Sequence, residues 1–253
     1  MNINIKMILL FLILFLCLSL DYKIAAQEYE QSLSDFNLSG FTEKGKKSWE
    51  IYGKSADIFN QTVNIKDVVA RLYRNEEDIE LRAKEADFNK TDGSLTLKDD
   101  VVISTTKGAS LNTESLNWDR THQRISTKDK VDIQRNNIIA SALGAFAEPD
   151  LKKINLEKEV VVQIHPQGKQ SLKDDTGGKI TITCDGPMEI DYDKNRAIFY
   201  NNVKIVKEDI QIYSDRLELE FLKESIEKQK TLKPEDQIKR IHAFGNVRII
   251  KSD

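Results

Sequence analysis

Short stretches in which apolar and polar residues alternate recur along this chain, and they predict β-strands. The most regular stretch has two acidic or amide residues, then Val, then any residue, then an aliphatic residue. A period of two is typical of a strand with one buried face. Six copies occur: IKDVVA at Val68, KDDVVI at Val101, KDKVDI at Val131, EKEVVV at Val160, YNNVKI at Val203 and FGNVRI at Val247.

Each copy of this Val phrase follows a second strand-like phrase, so the repeating unit is a pair of strands. Successive Val residues are 33, 30, 29, 43 and 44 residues apart, a near-regular spacing. We expect the aromatic residues of the leading phrases to be ordinary core residues. The leading phrases are ADIF, EADF, ESLNW, GAFA, MEIDY and RLELEF, with aromatic residues at Phe59, Phe88, Trp118, Phe146, Tyr192 and Phe221.

This regularity predicts an all-β, elongated, repeat-like stack of sheet layers with a long apolar interior and two open ends. Layers stacked in register would place the Val-x-Ile positions on one face and form an apolar trough. Facing sheets would either fill that trough with side chains or leave room for acyl chains, and both alternatives stay open. The predicted lining residues are Leu95, Leu97, Val101, Ile103, Val131, Ile133, Val160, Val162, Val203, Ile205, Val247 and Ile249.

Charge and composition argue against a nucleic-acid-binding protein. The 253 residues include 38 basic and 41 acidic side chains, and the net charge is −3. Because the two signs are interspersed, no basic stripe is available for a phosphate backbone.

The sequence predicts no catalytic residue, no metal ligand and no cofactor. The three His residues lack metal-site spacing, and we expect them in turns or in solvent. Residues 40–47 nearly match a phosphate-binding loop, but Lys47 replaces the hydroxyl residue and a strand is predicted where a helix is needed. The pairs Asp99-Asp100 and Asp174-Asp175 are adjacent, so their side chains point to opposite faces of a strand; we expect them at strand ends.

The N-terminus carries an export signal. Residues 7–20 are apolar except for Ser19, and this run is shorter than a typical membrane span. Residues 1–26 are therefore either a signal peptide cut after Ala26 or an inner-membrane anchor. After this segment only Cys184 remains, so no internal disulfide is expected.

Two blocks are expected after the export signal. The first block is residues 36–164 and contains four Val phrases, and the second block is residues 180–253 and contains two. Between them, residues 165–179 are polar and rich in Gly, which predicts a linker. Residues 223–239 are dense in charge and predict either a solvated loop or a short amphipathic helix.

These phrases, taken in order, resemble two lipopolysaccharide-export families. Residues 49–164 resemble the membrane-tethered LptC family, and residues 179–250 resemble the opening of an LptA-type, or organic-solvent-tolerance-like, domain. The LptC-like phrases are WEIYGKSADI, AKEADF, GSLTLKDDVVI, GASLNTESLNWD, ISTKDKVDI and INLEKEVVVQI. The LptA-like phrases are ITCDGPMEIDYDKNRAIFYNNVKI, IYSDRLELEF and IKRIHAFGNVRI.

The resemblance implies a twisted antiparallel β-jellyroll in the periplasm whose interior carries lipid A acyl chains. It implies strand pairing with an inner-membrane ABC exporter at one end and an LptA-like bridge protein at the other. It also implies that a partner ATPase supplies the energy. The second block is unusual on an LptC-like chain; one hypothesis is that it replaces part of the bridge, and the sequence leaves open whether it instead recruits a separate LptA. The alternative function is a structural or adhesive β-repeat scaffold of the cell envelope.

Overall fold

The described part of the chain is built from strands. The computed structural model describes residues 31–73, 78–119, 121–135, 137–148, 152–165, 178–221 and 238–251. Within these ranges there are fifteen strands and no helix. They are β1 (Gln31–Phe41), β2 (Lys47–Ile58), β3 (Thr62–Leu72), β4 (Ile79–Asn89), β5 (Leu95–Thr105), β6 (Ala109–Asp119), β7 (Arg124–Arg135), β8 (Ile138–Ala147), β9 (Lys153–Ile164), β10 (Ile180–Cys184), β11 (Met188–Asp191), β12 (Arg196–Lys207), β13 (Ile210–Phe221), β14 (Ile238–Phe244) and β15 (Arg248–Lys251).

All fifteen strands belong to one antiparallel sheet in which neighbours in sequence are mostly neighbours in space. The order is β1 to β9, then β10, β12, β13 and β14. β11 continues β10 between β9 and β12, and β15 pairs with β13 beyond the end of β14. The predicted all-β antiparallel architecture is therefore confirmed.

The polar residues of the Val phrase lie in the middle of long strands, where the ladder is irregular. Asp99 and Asp100 have φ angles of 61° and 54° and lie inside β5, so the prediction that they lie at a strand end is wrong. Asp and Asn tolerate this left-handed region better than most residues, which explains the repeated acidic or amide positions. The other such residues before a Val are Asp67 (49°), Glu159 (51°), Asn201 (63°), Asn202 (51°) and Asn246 (40°).

These irregularities bend the strands, and the Val residue is buried in each of the first five Val phrases. A bulge bends the strand that carries it. A single open sheet would leave its face in contact with solvent, so full burial requires the two halves of the bent sheet to face each other. The exposed fractions are 4% for Val68, 0% for Val101, Val131 and Val160, and 1% for Val203.

The buried side chains form two groups that divide between β6 and β7. The first group runs from Ala56 to Leu116, and the second runs from Val131 to Leu219. Between them, the buried hydroxyls of Thr113 and Thr127 lie 3.3 Å apart. The second group crosses from the first block to the second, so sheet and core are continuous there. The division at 165–179 stays a prediction, since residues 166–177 lie outside the described ranges.

The aromatic residues of the leading phrases were predicted to be core residues, but the structure does not bury them. None of the six is buried, and Trp118 and Tyr192 are 36% and 43% exposed. The Phe146 ring lies 3.9 Å from the guanidinium of Arg124. These rings lie at strand ends or within one residue of them, and Phe221 packs against the second group of buried residues.

Two further predicted segments lie outside the described ranges. They are the export segment, residues 1–26, and most of the charged stretch 223–239, of which only 238 and 239 are described, in β14. Among the described residues, no helix has the length and hydropathy needed to cross a membrane.

Candidate functional site

Apolar side chains from every strand position line up across the sheet in what we call the first row. Each member lies directly opposite the next on the neighbouring strand, because the ladder keeps its register on this side of the bends. Such directly opposed residues on one face have Cβ atoms within contact distance. The first row is Leu38, Ile51, Ala70, Leu81, Ile103, Leu111, Ile133, Ala140, Val162, Ile182, Ile205, Ile212 and Ile249.

A second row crosses the sheet on the other side of the bends. It is apolar except at Thr127, which follows the register shift between β6 and β7. Together the two rows make the inner face of the bent sheet largely apolar, and the first row is apolar at every position. The second row is Leu33, Ala56, Ile65, Ala86, Leu97 and Leu116, then Thr127, Ala145, Leu156, Met188, Phe199, Leu217 and Ala243.

The structure distributes the twelve predicted lining residues over these rows and the bend between them. Leu95 lies opposite Phe88 and Trp118, nearer the strand end. Leu97 belongs to the second row. Val247 lies in the segment between β14 and β15. Ile103, Ile133, Val162, Ile205 and Ile249 belong to the first row, and Val101, Val131, Val160 and Val203 follow the bends.

The inner face is covered in the middle of the sheet and open at its two ends. In the first row, Val162 and Ile182 are 4% and 1% exposed, whereas Leu38 and Ile249 are 54% and 70% exposed. Val247 is likewise 47% exposed, unlike the five earlier Val residues. The last described strand, β15, pairs with β13 on one side and has no described strand on its other side, so the sixth Val phrase lies in a different environment.

Side chains fill the middle of the inner face. Leu156, Phe199 and Leu217 are fully buried there. Two cavities in the described region lie elsewhere, and neither is lined by a member of the two rows. One of about 590 Å³ is lined by Asp215, Asn246, Val247 and Arg248, and one of about 210 Å³ by Asn37, Glu50, Tyr52, Val69 and Arg71.

The leading strands also contribute side chains to the inner face, and the prediction did not include these residues. A signal for them was present, since the first apolar residue of each leading phrase belongs to the second row. The prediction instead took the aromatic residue later in each phrase as its core residue. These residues are Ala56, Ala86, Leu116, Ala145, Met188 and Leu217.

The strongest cluster of charges in the described region surrounds Glu50, at the β1 end of the sheet. The Glu50 carboxylate accepts hydrogen bonds from Lys47 Nζ at 2.7 Å, Tyr73 Oη at 2.6 Å and Arg71 Nη1 at 3.2 Å. The bonds from Lys47, Tyr73 and Arg71 lower the pKa of Glu50 to about 2. An ionised carboxylate held by three donors is a structural tie rather than an acid or base for catalysis near neutral pH.

Other candidate chemistry has a structural explanation. Residues 42–46 form the hairpin turn between β1 and β2, and a strand follows them where a phosphate-binding loop would need the start of a helix. The ring of His122 lies in a turn and contacts Asp119 at 2.6 Å. Burial raises the pKa of the Cys184 thiol, which lowers the fraction of reactive thiolate. No three described His, Cys, Asp or Glu residues could hold a metal ion.

Comparison with known proteins places the chain in a family. Residues 7–165 match the model described as lipopolysaccharide-assembly, LptC-related, and residues 181–252 match the model of the LptA/(LptD N-terminal domain) lipopolysaccharide transport protein. A search of curated proteins gives no match.

A search of solved structures lists a match to LptH, the LptA-homologous periplasmic component of the lipopolysaccharide transport device of Pseudomonas aeruginosa. The match has 9% identity and a TM-score of 0.30, and it covers 69% of this chain and 95% of LptH. The family models agree with the resemblance seen in the strand phrases, first LptC and then LptA. The chain therefore belongs to the LptC-related lipopolysaccharide-assembly family, with an LptA/LptD N-terminal-type segment following the LptC part.

Proposed function

We propose that this protein is a bridge segment that carries lipopolysaccharide, or a related lipid, across the periplasm from an inner-membrane ABC exporter towards the outer membrane. The observation that carries the proposal is the first row, which is apolar at every strand position from Leu38 to Ile249. Acyl chains leave water for apolar surface at a gain of about 25 cal/mol per Å². A row without a polar break lets each segment of an acyl chain keep that gain as it moves.

Because side chains fill the middle of the inner face, lipid can pass there only if those side chains move apart. Acyl chains have to take the place of contacts between the two halves of the bent sheet, so the halves have to separate locally. The exposed row ends at Leu33, Leu38 and Ile249 are the points where an acyl chain first meets apolar surface. The chain itself supplies no covalent chemistry and no cofactor in this role, and a partner ATPase supplies the energy.

Partners dock by strand addition at the ends of the sheet. Among the described strands, β1 is outermost at one end of the sheet, and β14 and β15 share the other end beyond β13; an outer strand presents unpaired backbone groups that another strand can use. Phe41 and Ile250 are 63% and 46% exposed at these two edges. The inner-membrane exporter is the proposed partner at β1, and an LptA-like protein at β15. Residues 7–20 tether the chain to the inner membrane if they are not removed.

Photo-crosslinking in cells tests the proposal. A photoreactive amino acid replaces Val131 or Ile205 in the full chain, and lipopolysaccharide adducts are measured. Adducts at both positions are expected, one in each block. The matched controls are the sequence neighbours Asp132 and Lys204, whose side chains alternate to the outer face. Adducts at neither inner position in folded protein, or equal adducts at the controls, would refute lipid transport along this face.

A second candidate function is a scaffold with a permanently filled core. The observation in its favour is the complete burial of Val101, Val131 and Leu156. A scaffold predicts no lipid adducts at Val131 and Ile205 and no defect in lipopolysaccharide transport when the chain is depleted. The adducts are measured in the crosslinking experiment and transport is measured in a strain depleted of the chain, and the two readouts together separate the two functions.

A further inference from the structure

The first and second blocks meet along β9, and the second block occupies the whole outer edge of that strand. β10 pairs with its C-terminal half, from Val160 opposite Cys184 to Ile164 opposite Ile180. β11 pairs with its N-terminal half, from Lys153 opposite Asp191 to Leu156 opposite Met188. No strand edge of the first block therefore stays open on this side within the described residues.

The gap between β10 and β11 fits the bulge in β9. Glu159, at the bulge with a φ of 51°, donates its backbone N–H to the carbonyl oxygen of Asp185 at 3.1 Å. Gly186 has a φ of 100°, and a Cβ added there would lie 2.2 Å from the carbonyl oxygen of Glu157. Only Gly combines that backbone angle with so close an approach. The segment between β10 and β11 is therefore complementary in shape to the bulge of β9, which strand pairing alone would not require.

The junction also lies inside the second group of buried residues. Leu156 and Val160 of β9 are fully buried, and Ile182 and Met188 of the second block are 1% and 5% exposed. Opening the junction would expose all of these side chains to water, which is unfavourable in proportion to their apolar area. A partner strand that replaced β10 and β11 would have to match this fit residue by residue.

We propose that the junction is permanently closed. The β9 edge of the LptC-like part is never offered to a separate LptA-like protein, and lipid passes from the first block to the second within one chain. The docking edge for a separate LptA-like protein lies instead beyond β13, on β14 and β15. This inference rests on the proposed function and assigns the second block its place in it.

A disulfide across the junction tests the proposal. Gln163 and Thr181 lie directly opposite each other and are half-buried, and opposed residues on neighbouring strands bring their Cβ atoms within disulfide range. The full chain with Gln163→Cys and Thr181→Cys is expressed in cells, where the oxidising periplasm forms the bond. We expect near-complete disulfide formation and lipopolysaccharide delivery to the outer membrane within about twofold of the wild type.

The matched control places the same Gln163→Cys opposite Ile139→Cys, which locks β8 to β9 inside the first block. It is expected to deliver lipopolysaccharide as well as the junction variant does. Loss of delivery in the oxidised junction variant alone, with recovery on reduction, would show that the junction has to open and would overturn the proposal. Absence of the disulfide in folded protein would overturn it too. A Val161→Cys, Thr183→Cys pair repeats the test if the first variant fails to fold.

Partner docking gives a second readout. A photoreactive amino acid at Ile250 on β15 or at Val161 on β9 is exposed to a purified LptA-like protein. Adducts at Ile250 and none at Val161 are expected, whereas adducts at Val161 would contradict a closed junction. The proposed function fails separately, through the absence of lipid adducts at Val131 and Ile205, while disulfide formation would still report a closed junction.

Discussion

At the scale of single residues, Val131 shows how the inner face depends on apolar side chains. It is 0% exposed and lies between Thr113 and Ala142 on the neighbouring strands. A carboxylate there would be buried without a partner. We expect Val131→Asp to lower the free energy of unfolding by more than about 3 kcal/mol and to reduce lipopolysaccharide delivery. Chemical denaturation measures the first effect and lipid adduct yield at Ile205 the second.

The control for this variant is Val247→Asp, at the same position of the sixth Val phrase. Val247 is 47% exposed, so its substitution is expected to change the free energy of unfolding by less than about 1 kcal/mol. Wild-type stability in Val131→Asp would show that Val131 does not point inwards. Equal destabilisation in both variants would show that burial is not the cause.

Glu50 predicts an acid-dependent contribution to stability at the β1 end of the sheet. Its pKa is lowered to about 2, first by the hydrogen bond from Lys47 and then by those from Tyr73 and Arg71. A carboxyl with a lowered folded-state pKa stabilises above its ordinary pKa, and the contribution is lost as the pH falls through about 2. Between pH 5 and pH 2, the melting temperature of the wild type should therefore fall further than that of Glu50→Gln.

The same pKa can be measured directly through the carboxyl carbon chemical shift of Glu50. Replacing Lys47 with Met removes the first donor, and the Glu50 pKa should then rise towards its ordinary value. A wild-type midpoint near 4.5 would contradict the hydrogen-bonded cluster. The effect on stability is small, because these side chains are accessible to screening by water and salt.

At the scale of elements, the repeated Val phrase marks the position at which each long strand bends. Five of its six copies place a residue with positive φ before the Val, and Glu159 is the residue least suited to that backbone. We expect Glu159→Asn to raise the free energy of unfolding by about 0.5 kcal/mol and Glu159→Val to lower it by about 1–2 kcal/mol. Equilibrium denaturation gives both values, and equal values for the two variants would refute the role of backbone angle.

The alternation of apolar residues predicted the strands because a two-residue period follows directly from one buried face. In β4 the buried positions Ala83 and Ala86 break the two-residue period where the pairing of β4 with β5 is irregular. The bends were not predicted, since Asp99-Asp100 fits a strand end and a mid-strand bulge equally well. The same limit applied to the lining residues. Alternation predicted Ile103 and Val162 on one face, but only the register showed that Leu111 and Ala140 complete the row.

At the scale of the whole molecule, the two blocks behave as one sheet whose inner face continues through the junction. Ala140, Val162, Ile182 and Ile205 are consecutive members of the first row, although the junction separates the first two from the last two. The apolar character of the row does not change at the junction. Boundaries between families in the sequence are therefore not boundaries of the apolar face.

The edge of β1 tests whether docking at the sheet end is needed for transport. Leu38 is 54% exposed and begins the first row, so Leu38→Lys places a charge where the row of a partner would continue. Because the side chain is exposed, we expect the free energy of unfolding to change by less than about 0.5 kcal/mol. A charge on an outer strand opposes pairing with another strand, so lipopolysaccharide delivery and exporter co-purification should fall at least tenfold.

The matched control is Leu143→Lys in β8, a strand with partners on both sides. Leu143 is 41% exposed, so the same charge is added at a similar exposure but away from any edge. Normal delivery is expected from this variant. If Leu38→Lys delivered lipopolysaccharide as well as Leu143→Lys does, β1 would not be the docking edge. The exporter would then have to contact the chain elsewhere, and the exposed start of the first row would need another explanation.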